Sequence, residues 1–261
     1  MSLENEILPQ NLARVIKRFG YDLIRAAGEL PAHLAEYRHA PVLPVRATYS
    51  PWLTDTAFQN TFEQVSANTL VDRFRCYELW SLVGQAGKLD AGGLIEVGVW
   101  RGGTGCLIAQ AAKHFGIPER VYLCDTFEGV VKAGEMDTRY SGGEHSDTSE
   151  DVVLELAGRL GLRSVTVLKG IFPDDTAHAI TEPALRFAHL DVDVYQSTKD
   201  ILEWLWPRLV AGGLVVFDDY GTHGCEGVTR VVNEFSVRKD ALLIQNLNGH
   251  AVVVKREAAA I

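Results

Sequence analysis

Four aspartates in two short motifs carry the strongest chemical signal in this sequence. Asp191 and Asp193 follow one apolar run, and Asp218 and Asp219 follow another. Neither motif contains a Lys or Arg, so converging carboxylates would repel one another until a cation binds. Oxygen ligands without Cys or His favour a hard ion, Mg²⁺ before Mn²⁺ or Ca²⁺. A helix cap or a turn is the alternative interpretation of either pair.

A glycine-rich segment from Glu96 to Gly105 follows an earlier apolar run. Glycine permits a tight turn and a close approach of the backbone to a ligand at a helix N-terminus. Trp100 occupies the position of the middle glycine in the G-x-G-x-x-G pattern of nicotinamide cofactors, which argues against such a cofactor. The carboxylate of Glu96 suits a cationic ligand such as S-adenosylmethionine. Asp125, 27 residues after Gly98, is placed to bind a ribose diol.

The elements that position these residues alternate as βαβ units from Gly92 onward. Strands are predicted at 94–98, 120–124, 164–168, 185–190, 214–217, 242–245 and 251–254, and helices at 104–115, 150–160, 197–209 and 225–236. The last two strands are joined by a connection too short for a parallel crossover, so they must be antiparallel. We therefore predict an α/β fold with a doubly wound, mostly parallel seven-stranded sheet and an antiparallel strand at one edge. Such sheets bind ligands beyond the carboxyl ends of their strands, where the acids lie.

The first part of the chain is predicted to be helical. An amphipathic helix at 11–30 has a basic face, and a solvated face on a packed helix is favoured over a membrane contact. A proline-rich linker follows at Pro41–Pro51, and helical periodicity returns over 59–86. We expect an N-terminal helical extension at 1–88 and a core at 89–261.

Composition narrows the possible partners. The chain has 261 residues, with 34 acidic residues against 25 Lys and Arg, for a net charge of −9. This balance argues against nucleic acid. No apolar run approaches the roughly 20 residues that span a bilayer, and the start lacks a basic signal region. Four scattered cysteines indicate neither a disulfide framework nor a structural zinc site. We expect a cytoplasmic protein.

The sequence patterns do not determine the roles of some polar residues. The loop histidines His145 and His223 are expected to be solvated, and His189 in a strand to be buried and hydrogen-bonded. The long loop at 129–149 is expected over the acceptor side, as a lid or a subunit contact. Four residues of this region are candidates for contact with an adenine amine, namely Ser146, Asp147, Ser149 and Asp151.

Four blocks of the sequence resemble the macrocin O-methyltransferase family. They are E-V-G-V-W-R-G-G at 96–103, D-T-F-E-G at 125–129, D-V-D-V-Y-Q-S-T at 191–198 and D-D-Y at 218–220, and the resemblance covers about residues 60–236. It implies a Rossmann-like class I methyltransferase that uses S-adenosylmethionine and Mg²⁺ to methylate a sugar hydroxyl of a natural product. It also implies a glycosylated small molecule as partner. We expect a homo-oligomer, most simply a dimer.

The resemblance assigns roles by position. It makes Asp191, Asp218 and Asp219 the metal ligands and Asp193 the general base. The residues that it places around S-adenosylmethionine are Glu96, Gly98, Trp100, Gly102, Gly103, Thr104, Asp125, Thr126 and Asp191.

Two departures from the family pattern lie near the acceptor. Val192 stands where the antibiotic enzymes often have Gly, and Gly221–Gly224 replaces a turn that contains Leu-Pro. Catechol-type enzymes carry a Lys at the position of Val194, which argues against a phenol. The alternatives are a methyltransferase for a non-sugar alcohol or phenol, and a non-catalytic protein that binds S-adenosylmethionine.

Overall fold

The computed structural model describes residue 33 and residues 49–257. The chain divides into two units between Thr48 and Tyr49, and residues 49–257 belong to the second. The predicted helix at 11–30 and nearly all of the predicted linker lie outside the described residues. The division into an extension at 1–88 and a core at 89–261 stays a prediction.

Within residues 49–257, seven strands form one sheet. They are β1 (Gly93–Val97), β2 (Val121–Asp125), β3 (Val165–Lys169), β4 (Leu185–Leu190), β5 (Leu209–Phe217), β6 (Ala241–Gln245) and β7 (Ala251–Lys255). Their order is β3-β2-β1-β4-β5-β7-β6. The strands from β3 to β5 are parallel, whereas β7 is antiparallel to both β5 and β6. The doubly wound sheet is confirmed, and its antiparallel strand lies one position inside the edge strand β6.

Helices cover both faces of this sheet. They are α1 (Thr56–Val65), α2 (Arg73–Ala86), α3 (Gly103–His114), α4 (Glu150–Arg159), α5 (Tyr195–Leu205) and α6 (Glu226–Phe235). Residues of α1 to α4 form one core cluster and residues of α5 and α6 the other. Side chains alternate along a strand, so Leu94 enters the first cluster and Ile95 the second. The strands are therefore apolar on both faces, as parallel sheets require.

The helix predicted at 197–209 ends earlier than expected. It stops at Leu205 and continues as a single 3₁₀ turn over Trp206–Arg208. Pro207 has no N–H for the helical ladder and clashes with the preceding turn, which explains the stop. As a consequence β5 begins at Leu209 and contains both glycines that were predicted to precede it.

The helical region predicted at 59–86 is two helices. Asp55 caps α1 through the N–H of Phe58, and Asp72 caps α2 through the N–H groups of Phe74 and Arg75. Such caps satisfy backbone donors that a helix start leaves free. Across the described part of the chain, no helix combines the length and the apolar character needed to cross a membrane.

Candidate active site

Backbone hydrogen bonds carry the parallel ladder past the ends of β1, β4 and β5. The N–H of Asp191 donates to Val97 O at 2.9 Å, and the N–H of Asp218 donates to Leu190 O at 2.9 Å. These strands are direct neighbours, so the residues that follow them lie side by side. The structure thus brings the two aspartate motifs together at one edge of the sheet.

The carboxylates at this edge form what we call the outer acid cluster, Asp191, Asp193 and Asp219. One oxygen from each of Asp191, Asp219 and the adjoining Asp218 lies within 4.8 Å of the others. Asp193 and Asp219 have positive φ angles of 64° and 60°. Residues with side chains rarely adopt this left-handed region, and holding one there costs about 1–3 kcal/mol. The turns after β4 and β5 are therefore strained where the acids converge.

Burial and mutual repulsion change the acidity of this cluster. Burial raises the pKa of Asp191 well above its ordinary value, and the charge of Asp218 adds to the rise. Burial also raises the pKa of Asp193, with a further contribution from Asp219. A cation bound among these groups would favour their ionised forms.

Asp218 has a different environment from its neighbours. Its Oδ2 accepts a hydrogen bond from Arg75 Nη1 at 2.5 Å, and its Oδ1 lies 2.6 Å from His250 Nε2. Although burial opposes ionisation, the neighbouring imidazoles of His189 and His250 and the charge of Arg75 hold the pKa of Asp218 well below its usual range. The sequence motifs contain no balancing cation, but the fold supplies Arg75 from α2.

Glu96 lies inside the protein. It is fully buried, and its Oε1 is 2.7 Å from Nδ1 of His189, its partner in the β1–β4 register. Its Oε2 has no hydrogen-bond partner and points towards Gly105. His189 is buried and hydrogen-bonded, as expected. The predicted contact between Glu96 and a cofactor stays a prediction.

The glycines after β1 are needed for packing within the protein. Gly98 has a φ of 88°, and a Cβ there would lie 1.7 Å from Asp191 O. A Cβ on Gly103 would lie 2.6 Å from the backbone of Asn68. The turn continues through Gly102, at a φ of 83°, into the buried Thr104 of α3. These close approaches pack the turn after β1 against the residue that follows β4, and the start of α3 against the 3₁₀ turn at Ser66–Asn68.

Asp125 organises the same turn. Its Oδ2 accepts hydrogen bonds from the N–H groups of Val99 and Trp100, both at 2.7 Å, and its Oδ1 accepts one from Phe127 at 2.7 Å. The hydroxyl of the next residue, Thr126, donates to Gly129 O at 2.9 Å. Asp125 therefore holds the glycine loop, and its binding of a ribose remains a prediction.

The loop at 129–149 is attached to the glycine loop and to the acids. Asp147 accepts hydrogen bonds from Trp100 Nε1 at 2.8 Å and Arg101 Nη2 at 2.6 Å. Further back in the loop, Tyr140 Oη donates to Asp193 Oδ1 at 2.8 Å. The loop is therefore part of the site wall.

The structure also shows the surroundings of other residues whose roles the sequence left undetermined. Ser149 caps α4 through the N–H of Val152, which makes it a structural residue at that point. The ring of His145 is half-buried beside the rings of Trp100 and Tyr140, at centroid distances of 6.4 and 6.0 Å. His223 is also half-buried, so neither loop histidine is fully solvated.

Three residues of the site were not predicted from the sequence, namely Arg75, Tyr140 and His250. Arg75 lies 143 positions before its partner Asp218, and no local spacing relates the two. Tyr140 stands in a loop without periodicity. His250 follows the turn between β6 and β7, and the antiparallel pairing of β7 with β5 could have pointed to it.

Fold and site together define a class of protein. A doubly wound sheet with a glycine loop after β1 and acids after β4 and β5 is the arrangement of class I O-methyltransferases. The solved structure of the O-methyltransferase NovP matches 73% of this chain and 83% of its own, with a TM-score of 0.64 and 26% identity.

The profile of the macrocin-O-methyltransferase (TylF) family matches residues 57–253, and the chain belongs to this family. It is 37% identical over 145 residues to 8-demethyl-8-(2,3-dimethoxy-alpha-L-rhamnosyl)-tetracenomycin-C 4'-O-methyltransferase of Streptomyces olivaceus, covering 51% of this chain and 55% of that protein. It is 33% identical over 147 residues to mycinamicin III 3''-O-methyltransferase of Micromonospora griseorubida, covering 51% and 57%. The matches thus span little more than half the length of these relatives.

Proposed function

We propose that this protein transfers the methyl group of S-adenosylmethionine to a hydroxyl group of a sugar on a small molecule, with the help of Mg²⁺. The observation that carries the proposal is the convergence of Asp191, Asp218 and Asp219 within 4.8 Å, with Asp193 beside them. Family membership supports the reaction, and the name of the Streptomyces olivaceus relative includes a rhamnosyl group.

The donor set fits Mg²⁺. It consists of carboxylate oxygens, which Mg²⁺ prefers. Burial and neighbouring carboxylates raise the pKa values of Asp191 and Asp193, and a bound cation would favour their ionised forms. Asp191, Asp218 and Asp219 would hold the ion. When bound, Mg²⁺ would lower the pKa of an acceptor hydroxyl and orient it.

S-adenosylmethionine fits the same edge of the sheet by charge. Its ammonium and sulfonium groups are cationic, and an acidic residue ends β2 while others follow β4 and β5. In doubly wound sheets, ligands bind beyond these strand ends. The glycine loop from Gly98 to Gly103, with Trp100 and Thr104, would hold the methionine part. Asp125 would contact the ribose, and Thr126 lies in the adjoining turn.

Asp193 would act as the general base. Its Oδ1 accepts the hydrogen bond from Tyr140, which fixes the carboxylate and leaves Oδ2 to accept a proton from the acceptor hydroxyl. S-adenosylmethionine, when bound, would supply the methyl group to the acceptor oxygen, and its sulfur would keep the electron pair of the broken carbon–sulfur bond and leave as a neutral thioether.

Binding and turnover test the proposal separately. Calorimetry with S-adenosylhomocysteine should show binding to the wild type, and absence of binding would exclude the cofactor. A non-catalytic binding protein would bind the cofactor but transfer no label from radiolabelled S-adenosylmethionine to any acceptor.

A panel of acceptors tests the substrate class. Glycosylated natural products should be methylated in preference to their aglycones, simple alcohols and phenols. If only phenols or non-sugar alcohols are labelled, the acceptor is not a sugar hydroxyl but one of these alternatives.

The assembly and the compartment also belong to this proposal. We expect a cytoplasmic protein from the sequence features, and a homo-oligomer, most simply a dimer. Sedimentation velocity at several protein concentrations tests the dimer, and a purely monomeric boundary would exclude it.

A further inference from the structure

A second cluster lies on the inner side of Asp218, and we call it the histidine cluster: His189, His250 and Asp218. The two rings and the carboxylate come from the end of β4, the residue before β7 and the residue after β5. The side chains of both histidines are fully buried, and Asp218 is 4% exposed. Single ligand atoms of all three lie within 4.8 Å of one another.

Each ring in this cluster is held between two carboxylates. His189 Nδ1 lies 2.7 Å from Glu96 Oε1, and His250 Nδ1 lies 2.9 Å from Glu78 Oε2. Because a carboxylate only accepts, each Nδ1 carries a proton. In a neutral imidazole the other nitrogen, Nε2, is then an acceptor. Both Nε2 atoms face Asp218 Oδ1, which is an acceptor too.

His250 Nε2 lies within hydrogen-bond distance of Asp218 Oδ1, at 2.6 Å, but His189 Nε2 is 3.9 Å from the same oxygen, too far for a hydrogen bond. That buried nitrogen has no hydrogen-bond partner. A single divalent cation would satisfy both nitrogens and the oxygen at once.

We propose that His189, His250 and Asp218 bind a divalent transition-metal ion, zinc in the first instance, at a site separate from the outer acid cluster. Imidazole nitrogen selects zinc over the hard magnesium ion. A carboxylate on the outer nitrogen of each ligating histidine is the usual support of a zinc site, and Glu96 and Glu78 provide it. The ion would connect β4, β5 and β7 within the core.

The proposal does not depend on methyl transfer, although Asp218 is a ligand in both proposed metal sites. Geometry carries the inner site, because three ligand atoms converge there and the buried His189 Nε2 has no hydrogen-bond partner.

Metal analysis of the full chain tests this site. Protein loaded with Zn²⁺ and dialysed against metal-free buffer should retain one equivalent by plasma mass spectrometry. His189→Gln and His250→Gln should each weaken zinc affinity by more than about 100-fold, beyond the usual effect of an outer-shell partner. His178→Gln, at an exposed position, is the matched control and should retain the ion.

A measurement on the wild type guards against variants that do not fold. X-ray absorption of the zinc-loaded protein should show histidine nitrogen ligands at about 2.0–2.1 Å. Asp191→Asn should leave this signal unchanged and weaken Mg²⁺ binding, which separates the two sites. Zinc retention equal in wild type and both histidine variants, or a spectrum without histidine ligation, would overturn the proposal.

Discussion

The two sides of Asp218 differ in how they balance negative charge. On the outer side, Asp191 and Asp193 have raised pKa values because burial and neighbouring carboxylates oppose their ionisation. On the inner side, Asp218 itself is held ionised by Arg75 and two histidines. The pKa values of these neighbouring aspartates are therefore shifted in opposite directions, because different elements pack against them. On the outer side, burial and like charges oppose ionisation, whereas on the inner side Arg75 favours it.

The contrast agrees with the proposal that the outer side is the active site. A group with a raised pKa destabilises the folded protein where the unfolded chain would be ionised, and a group with a lowered pKa stabilises it. Active sites often accept such local destabilisation. Four predictions test the comparison, from the largest expected effect to the smallest.

Replacement of the proposed base should have the largest effect. Asp193→Asn keeps the size of the side chain but removes its ability to accept a proton. We expect methyl transfer to fall about 10³-fold, within the range of general-base contributions, or about 4 kcal/mol. S-adenosylhomocysteine affinity by calorimetry should stay within twofold. Full turnover in this variant would show that another residue is the general base. Loss of cofactor binding would show that Asp193 does not act only as the base.

Loss of the inner cation should mainly affect folding. Arg75→Gln leaves Asp218 buried without its guanidinium partner, and we expect a loss of about 3 kcal/mol in the free energy of unfolding by urea. Arg73→Gln, on the exposed side of the same helix, is the control and should change stability by less than about 0.5 kcal/mol. Equal stability of the two variants would show that Asp218 does not need Arg75.

The contrast between Arg75 and the motifs shows what the sequence can and cannot predict. The strands and the two aspartate motifs are predictable because apolar runs mark buried strands, and parallel neighbours place their carboxyl ends at one edge. The hydrogen bonds between the parallel strands determine the positions of Gly98, Asp191 and Asp218. Arg75 and Tyr140 reach the site from a helix face and a loop, whose approach depends on tertiary packing. No spacing in the chain encodes those contacts.

Removal of one outer carboxylate should stabilise the metal-free protein. The folded pKa of Asp191 is raised, so above its unfolded value of about 3.9 the unfolded chain loses a proton that the folded chain keeps. Wild-type stability therefore decreases as pH rises from about 4. Asp191→Asn should exceed the wild type by about 2 kcal/mol at pH 7 in EDTA, and the difference should shrink towards pH 4.

Two comparisons sharpen that result. Asp218→Asn should have the opposite sign, because its lowered pKa gives stability that is present above about pH 4 and lost at lower pH. Mg²⁺ should stabilise the wild type more than Asp191→Asn in thermal unfolding, since an ion that binds only the folded state raises its stability. If Asp191→Asn is less stable than the wild type at every pH, the outer cluster is not repulsive.

The smallest effect is expected for the hydrogen bond that joins the loop to the outer side. Tyr140→Phe removes only the hydroxyl that donates to Asp193 Oδ1, while the ring keeps its packing. A hydrogen bond of this kind contributes about 1 kcal/mol, so turnover should decrease about fivefold while cofactor affinity is unchanged. Tyr195→Phe, whose hydroxyl donates to Glu234 on the surface, is the matched control and should keep wild-type turnover. Because Tyr140 and Asp193 act on one step, adding Tyr140→Phe to Asp193→Asn should produce no further decrease. An additive decrease would mean that the loop contributes to turnover through contacts other than the general base.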